Sequence, residues 1–149
     1  MEQTRRLIRS LLKFAQINLY PDWQKLPPRD LARQIFDDPN FVLVSHGTQI
    51  DPVLNYGNRQ ALNLWEMPWG KFTKTESKKT AEEVNRQERA AALARVTRDG
   101  FTDDYSGVRI AASGKQFKIH RALIWNVLGP DEQPAGQAAM FRDWEYLDT

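Results

Sequence analysis

The chain has 149 residues, 41% hydrophobic and 27% charged, with five Trp, which describes one folded domain and not a disordered tract. Its 21 Lys and Arg barely outnumber 19 Asp and Glu, and a formal charge of +2 gives no electrostatic case for nucleic acid as a partner. The absence of Cys removes disulfides, thiolate catalysis and thiolate metal sites, while the lack of an apolar run near the ~18 residues of a membrane span, or of a secretory h-region, makes a cytoplasmic protein the expectation.

Thr4 to Leu19 reads as an amphipathic helix. Leu7, Ile8, Leu11, Leu12, Ala15 and Leu19 share one stripe, with Arg5, Arg6, Arg9 and Lys13 mostly off it. Such a stripe packs on the body of the domain, dimerises, or rests on a membrane surface. Tyr20-Pro-Asp22 ends this helix, Leu26-Pro-Pro28 is a stiff linker, and Asp30 to Phe36 forms a second helix closed by Asp37-Asp-Pro-Asn40. Residues 1–39 are therefore expected to be a helical extension, 40–141 the core, and 142–149 a tail that either hangs loose or docks by Trp144 and Tyr146.

Phe41 to Val44 is a short apolar run, read as a buried strand. Asp51 to Glu66 is the stretch around which the rest is organised. Val53, Leu54 and Tyr56 form a strand; Gly57 breaks it; Asn58 is a good N-cap. Ala61, Leu62, Leu64 and Trp65 then continue at helical spacing until Pro68 forbids more. Trp69 to Phe72 is an aromatic loop or a single helical turn. Thr80-Ala-Glu-Glu83 matches a capping box for a helix that Gly100 stops, with Ala81, Val84, Ala91, Ala92 and Val96 as its inner face.

From Phe101 the period changes to two. Phe101 to Tyr105 and Val108 to Ala112 make one strand, either long and continuous or bulged at Gly107. Phe117, Ile119, Leu123, Trp125 and Val127 alternate, with Arg121 as the polar interruption, and Gln137 to Phe141 is a last strand. Short turns between them imply an antiparallel meander. The class is α+β: a five-stranded antiparallel sheet with helices on one face, enclosing a small apolar cavity of the kind that takes ligands.

That order resembles the PAS fold, and Asn55-Tyr-Gly-Asn-Arg-Gln-Ala-Leu-Asn-Leu-Trp65 is similar to its strand-then-helix segment. Together with Gly107-Val-Arg-Ile-Ala-Ala-Ser-Gly-Lys-Gln-Phe117 and Ile124-Trp-Asn-Val127 it resembles, more narrowly, the PAS-related MEKHLA family, in its stand-alone bacterial and cyanobacterial form. The resemblance covers about Asn40 to Phe141. It implies a sensory or protein-interaction module and not an enzyme. Its partners would be a small-molecule ligand and a signalling protein or second copy engaged through the N-terminal helix. The homeodomain and zipper of the plant members have no counterpart here, so no DNA-binding role carries over.

PAS domains take haem, flavin or small metabolites, and the residues prune that set. A cysteinyl-flavin adduct is excluded without Cys. Haem-binding PAS domains commonly draw a His from the long helix before the meander, and Thr80 to Arg98 has none, so haem is not expected; the only His are His46 and His120. The cofactor stays unassigned. Trp65, Trp69, Phe72, Phe117, Trp125 and Met140 are the expected pocket walls, with Asn55, Asn58 and Asn126 as polar contacts, although the same aromatics could simply fill the core. Ser45 and His46 are neighbours on a strand and point apart, so they make no dyad, and Lys71 to Lys79 reads as a solvated loop. Two further readings stand beside the sensor: a small α+β isomerase or hydrolase using Asp103 or His120, and a ligand-free dimerisation module.

Overall fold

The computed structural model describes residues 2–147, without the side chains of Glu2 and Glu83. Its elements are α1 (Glu2–Ala15), α2 (Pro28–Asp37), β1 (Val42–His46), β2 (Leu54–Gly57), α3 (Arg59–Trp65), α4 (Trp69–Phe72), α5 (Glu83–Asp99), β3 (Phe101–Ile110), β4 (Gln116–Leu128), β5 (Pro134–Phe141) and β6 (Asp143–Tyr146). The sheet runs β2-β1-β5-β4-β3, every pair antiparallel, with β6 beside β4. This is the expected architecture of antiparallel sheet, helices and N-terminal helical segment, with one strand added.

That strand lies in the expected tail. Trp144 and Tyr146 sit edge-on to Phe117, at 6.3 and 6.5 Å between ring centroids. The tail thus docks by its aromatics and also pairs its backbone with residues 117–120 of β4. Asp148 and Thr149 lie outside the described residues.

Two cores flank the sheet. On one face α3, α4 and α5 cover Leu54, Trp65, Phe72, Val96, Phe117 and Ile124. On the other, α1 and α2 cover Leu43, Leu123, Trp125, Val127 and Met140. Leu7, Ile8 and Leu11 of α1 are fully buried there, each contributing roughly 2 kcal/mol of apolar transfer. The Trp125 indole donates to the Leu7 carbonyl at 3.0 Å, and the Leu128 amide donates to Ser10 Oγ at 2.9 Å. The α1 stripe therefore packs on its own sheet. The helix ends at Ala15, a turn earlier than its apolar pattern, because Gln16 turns left-handed at φ 57°.

β4 serves both cores, which the simple alternation did not anticipate. Phe117 and Ile119 face α3 and α5, but so do Ala122 and Ile124, while Leu123, Trp125 and Val127 face α1. The phase changes at Arg121, which has φ 50° and is one residue more than β3 can pair, since Tyr105 meets Ala122 and Gly107 meets Ile119. An extra residue flips every side chain beyond it to the other face. β3 is thus the long strand of the two alternatives, the extra residue near Gly107 lying opposite it on β4, and β3 carries a second irregularity between Thr102 and Tyr105.

Two helix-start details also differ. Thr80 does not cap α5: its hydroxyl donates to the Ser77 carbonyl at 2.7 Å, closing a 3-10 turn, and the helix begins after Glu82 without a side-chain cap. The Glu83 half of that capping box lies outside the described side chains. On α5, Val84 and Ala91 point outward and Ala92 and Val96 inward.

Deleting Arg121 should remove the bulge and leave Ala122 and Ile124 in phase with Ile119, and Trp125 under α1, so that urea unfolding stays cooperative. Arg121→Gly should leave the urea midpoint unchanged or raise it slightly. It relieves a left-handed L-residue, worth about 1 kcal/mol, and loses only an exposed ion pair to Asp143.

Candidate functional site

A cavity of about 60 Å³ lies between the sheet and α5. Leu54, Trp65, Phe72, Leu93, Ile124 and Phe141 give it apolar walls. Its polar lining includes His46, Ser77, Tyr105, Arg89 and Arg109. At ~10–15 Å³ for the first water, this space holds about four waters or a molecule of similar bulk. It has no room for a flavin ring system without rearrangement.

Local structure brings the two arginines there. Arg89 occupies the stripe of α5 that continues through Ala92 and Val96, spaced three and four residues apart. Arg109 alternates with Tyr105 and Gly107 on the inner face of β3. Gly107 makes room for the Tyr105 ring, which any side chain at 107 would strike. The Arg109 guanidinium lies over that ring, 5.4 Å from its centroid, and Nη2 donates to the Tyr105 hydroxyl at 3.1 Å. Nη1 donates to the Val108 carbonyl at 2.9 Å.

The charge of this site is one-sided. Arg89 and Arg109 are each only 8% exposed. Arg89 Nη2 donates to Ser77 Oγ. Among the described residues every ion pair lies elsewhere, and neither arginine meets a carboxylate. Burial, helped by the neighbouring charge of Arg109, pulls the Arg89 pKa down to about 10, so it stays a cation near neutral pH. Buried unpaired charge is costly. Two more lining side chains carry a buried nitrogen without a partner among the described residues: Trp65 Nε1 and His46 Nε2. His46 Nδ1 lies 2.9 Å from the Gly47 carbonyl. Burial, with Arg89 adding to it, holds the His46 pKa below its ordinary value, so the ring is neutral.

The residues expected to form one pocket are spread over several places. Trp65 and Phe72 line the cavity, and Phe117 stands behind Trp65 at 5.2 Å between centroids. Trp125 and Met140 are on the opposite face, packed under α1: Trp125 because of the phase change at Arg121, and Met140 because it pairs with Leu43 and Leu123 on that face. Trp69 is 45% exposed and, with Asn55, borders a surface groove of about 450 Å³ near α1 and α2. Asn126 borders another groove, of about 440 Å³, and ties α5 to the sheet: Nδ2 donates to the Val96 carbonyl at 2.9 Å and Oδ1 accepts from Gln137 at 3.1 Å. Asn58 caps α3, as its position suggested, and is fully buried away from the cavity. Its Oδ1 accepts from the Leu43 and Ala61 amides, both at 3.1 Å, and Nδ2 donates to the Phe41 carbonyl at 2.9 Å. Asp103 is exposed, and His120 pairs with Glu145 at 3.2 Å; neither lines the cavity. No cluster of metal-ligating side chains occurs among the described residues.

Sequence reasoning missed Arg89 and Arg109. The available signal was placement: each cation stands where the period of its element calls for an apolar residue.

The model of the MEKHLA domain matches residues 1–146. Curated relatives include the homeobox-leucine zipper protein ATHB-8 of Arabidopsis thaliana, 21% identical over 79% of this chain and 14% of its own length. Another is homeobox-leucine zipper protein HOX32 of Oryza sativa subsp. indica, 23% identical over 64% of this chain and 11% of its own. The chain thus spans about one seventh or less of the relatives it matches. Among solved structures, the PAS domain of a protein from Colwellia psychrerythraea superposes with a TM-score of 0.66 at 14% identity, covering 77% of this chain and 94% of that one. A LOV protein of Rhodobacter sphaeroides gives a TM-score of 0.60 at 15% identity, covering 78% and 65%. At these identities the likeness is one of fold.

Asn58→Ala should lower the free energy of unfolding by roughly 3 kcal/mol in urea titration, since it removes a helix cap and strands two buried backbone groups, the Leu43 amide and the Phe41 carbonyl. His46 should give a pH signature. Its folded pKa is below the unfolded 6.5, so the unfolded chain takes up the proton first and stability falls as pH drops through about 6.5. The melting temperature should be level above that range, and His46→Gln should flatten the decline.

Proposed function

This chain belongs to the MEKHLA family, and on that premise we propose that it is a non-enzymatic sensory module of the cytoplasm. A small molecule enters the cavity, shifts the packing of α5 on the sheet, and changes the affinity of a surface read by another chain. The observation that carries this reading is the interior cavity, with polar groups that find no partner among the described residues, inside a PAS-like fold. Catalytic residues have no part in it, consistent with Asp103 and His120 lying off the cavity.

The hydrogen bonds support a route outward. Arg89 stands on α5. That helix is bonded to the sheet near its C-terminal end by Asn126, and by Gln137 through the Leu93 carbonyl at 3.0 Å. On β4, Ile124 faces the cavity and its neighbour Trp125 bonds to α1. A change in the cavity thus reaches α1 through a single rigid strand, and a ligand shifts the equilibrium by as much as its affinity for the two packings differs. We assign the partner contact, a signalling protein or a second copy, to the outer side of α1, where Leu12 is 36% exposed. Dimerisation through Leu7, Ile8 and Leu11 would need α1 to leave the sheet.

Native mass spectrometry of protein purified from its own host, with hydrogen exchange before and after ligand stripping, tests this. A retained small molecule whose removal speeds exchange in both α5 and α1 is the expected result. Exchange that ignores stripping refutes the sensor.

A further inference from the structure

Among the described residues two positive charges and no negative one line the cavity, and this decides what chemistry can occupy it. The described protein partners of Arg89 and Arg109 are two hydroxyls and a backbone carbonyl. Each guanidinium has five N–H donors in a planar fork, so several remain unused. Arg86 adds to the field, though its own Nε is turned to the Lys78 and Ala81 carbonyls, both at 3.1 Å. Trp65 Nε1, buried without an acceptor, is another free donor in the wall. The site is thus rich in donors, and what it lacks is an anionic acceptor.

The apolar part of the wall limits the body of that anion. Leu54, Phe72, Leu93, Ile124 and Phe141 have no polar side-chain atoms to meet a second charge. A phosphate or a dicarboxylate would press charge against them at high cost. A monocarboxylate fits both halves: its planar head matches a guanidinium fork bidentately, and an alkyl body meets the apolar wall. Space for about four waters is ~120 Å³ of liquid volume, the bulk of a three- or four-carbon acid.

We propose that the cavity is a binding site for a short-chain monocarboxylate, its head held by Arg89 and Arg109 and its alkyl chain lying against Phe72 and Ile124. This rests on the reading of the cavity as a ligand site and adds the ligand's chemistry. No bond is made or broken; the carboxylate supplies the counter-charge that the protein leaves out.

The test uses the full chain and sodium acetate, propionate, butyrate and hexanoate at constant ionic strength. Sodium chloride and butyramide are the controls, and the melting temperature is the readout. Propionate and butyrate should stabilise saturably, on the order of 5 °C at a hundredfold excess over Kd. Acetate should do less, and hexanoate, butyramide and chloride nothing. Arg89→Met should melt in chloride at or above the parent temperature, because it removes a buried unpaired charge, and should lose the butyrate response. Arg89→Lys keeps the charge without the fork and should bind at least ten times more weakly. Equal stabilisation by butyramide, an undiminished response in Arg89→Met, or no saturable response to any of the acids overturns the proposal. If Arg89→Met does not fold, the comparison of butyrate with butyramide on the parent chain decides alone. Butyrate binding that leaves exchange in α5 and α1 unchanged would keep this site and remove the sensor. A different retained molecule, with no response to acids, would do the reverse.

Discussion

One strand has to be buried on both faces, and the left-handed residue in its middle is what allows it. β4 runs thirteen residues from Gln116 to Leu128. Without a break its even positions would all share one face, and Ala122 and Ile124 would fall in with Lys118 and His120. With Arg121 inserted, the first half turns Phe117 and Ile119 toward α3 and α5, and the second half turns Ala122 and Ile124 the same way. Leu123, Trp125 and Val127 are then free to build the core beneath α1. The cavity and the docking of the N-terminal helix both depend on that phase change.

Much of the rest was written locally, and so was readable. Asn58 follows Gly57 and precedes an apolar stripe, which is how a helix start announces itself, and it caps α3. Gly100 stops α5 with φ 96°, donating its amide to Val96 at 2.7 Å. The change from helical to alternating period at Phe101 marks the meander. What stayed hidden depends on pairing between distant segments. No property of Arg121 alone reveals that β3 skips it, although the unbroken run Ala122 to Trp125 is what a strand buried on both faces looks like. Arg89 escaped for another reason: counting apolar residues treats a cation in the stripe as a gap, when a cation there is a feature.

The two faces of the sheet are built to different standards. The α1 side is a tight seam: Trp125 is fully buried with its one polar atom bonded to Leu7, and Ser10 accepts the end of β4. The α5 side leaves a gap, with two cations and two ring nitrogens that find no counter-charge or acceptor among the described residues. A protein selected for stability alone would fill such a gap with hydrocarbon. The firm side supplies the free energy that lets the other side stay incomplete, and the asymmetry places any adjustable packing at α5.

The last strand has a consequence for how copies of this chain coexist in a crowded solution. β5 pairs only with the second half of β4, from Leu123 onward, leaving the same backbone edge of Phe117 to His120 without a partner in β5. β6 occupies that edge and substitutes its own, which is four residues long and carries Asp143 and Glu145. A short, acidic rim is a poor template for a neighbour's backbone. The same segment that shields Phe117 from water therefore also closes the stretch of β4 that β5 leaves open to a neighbour's strand.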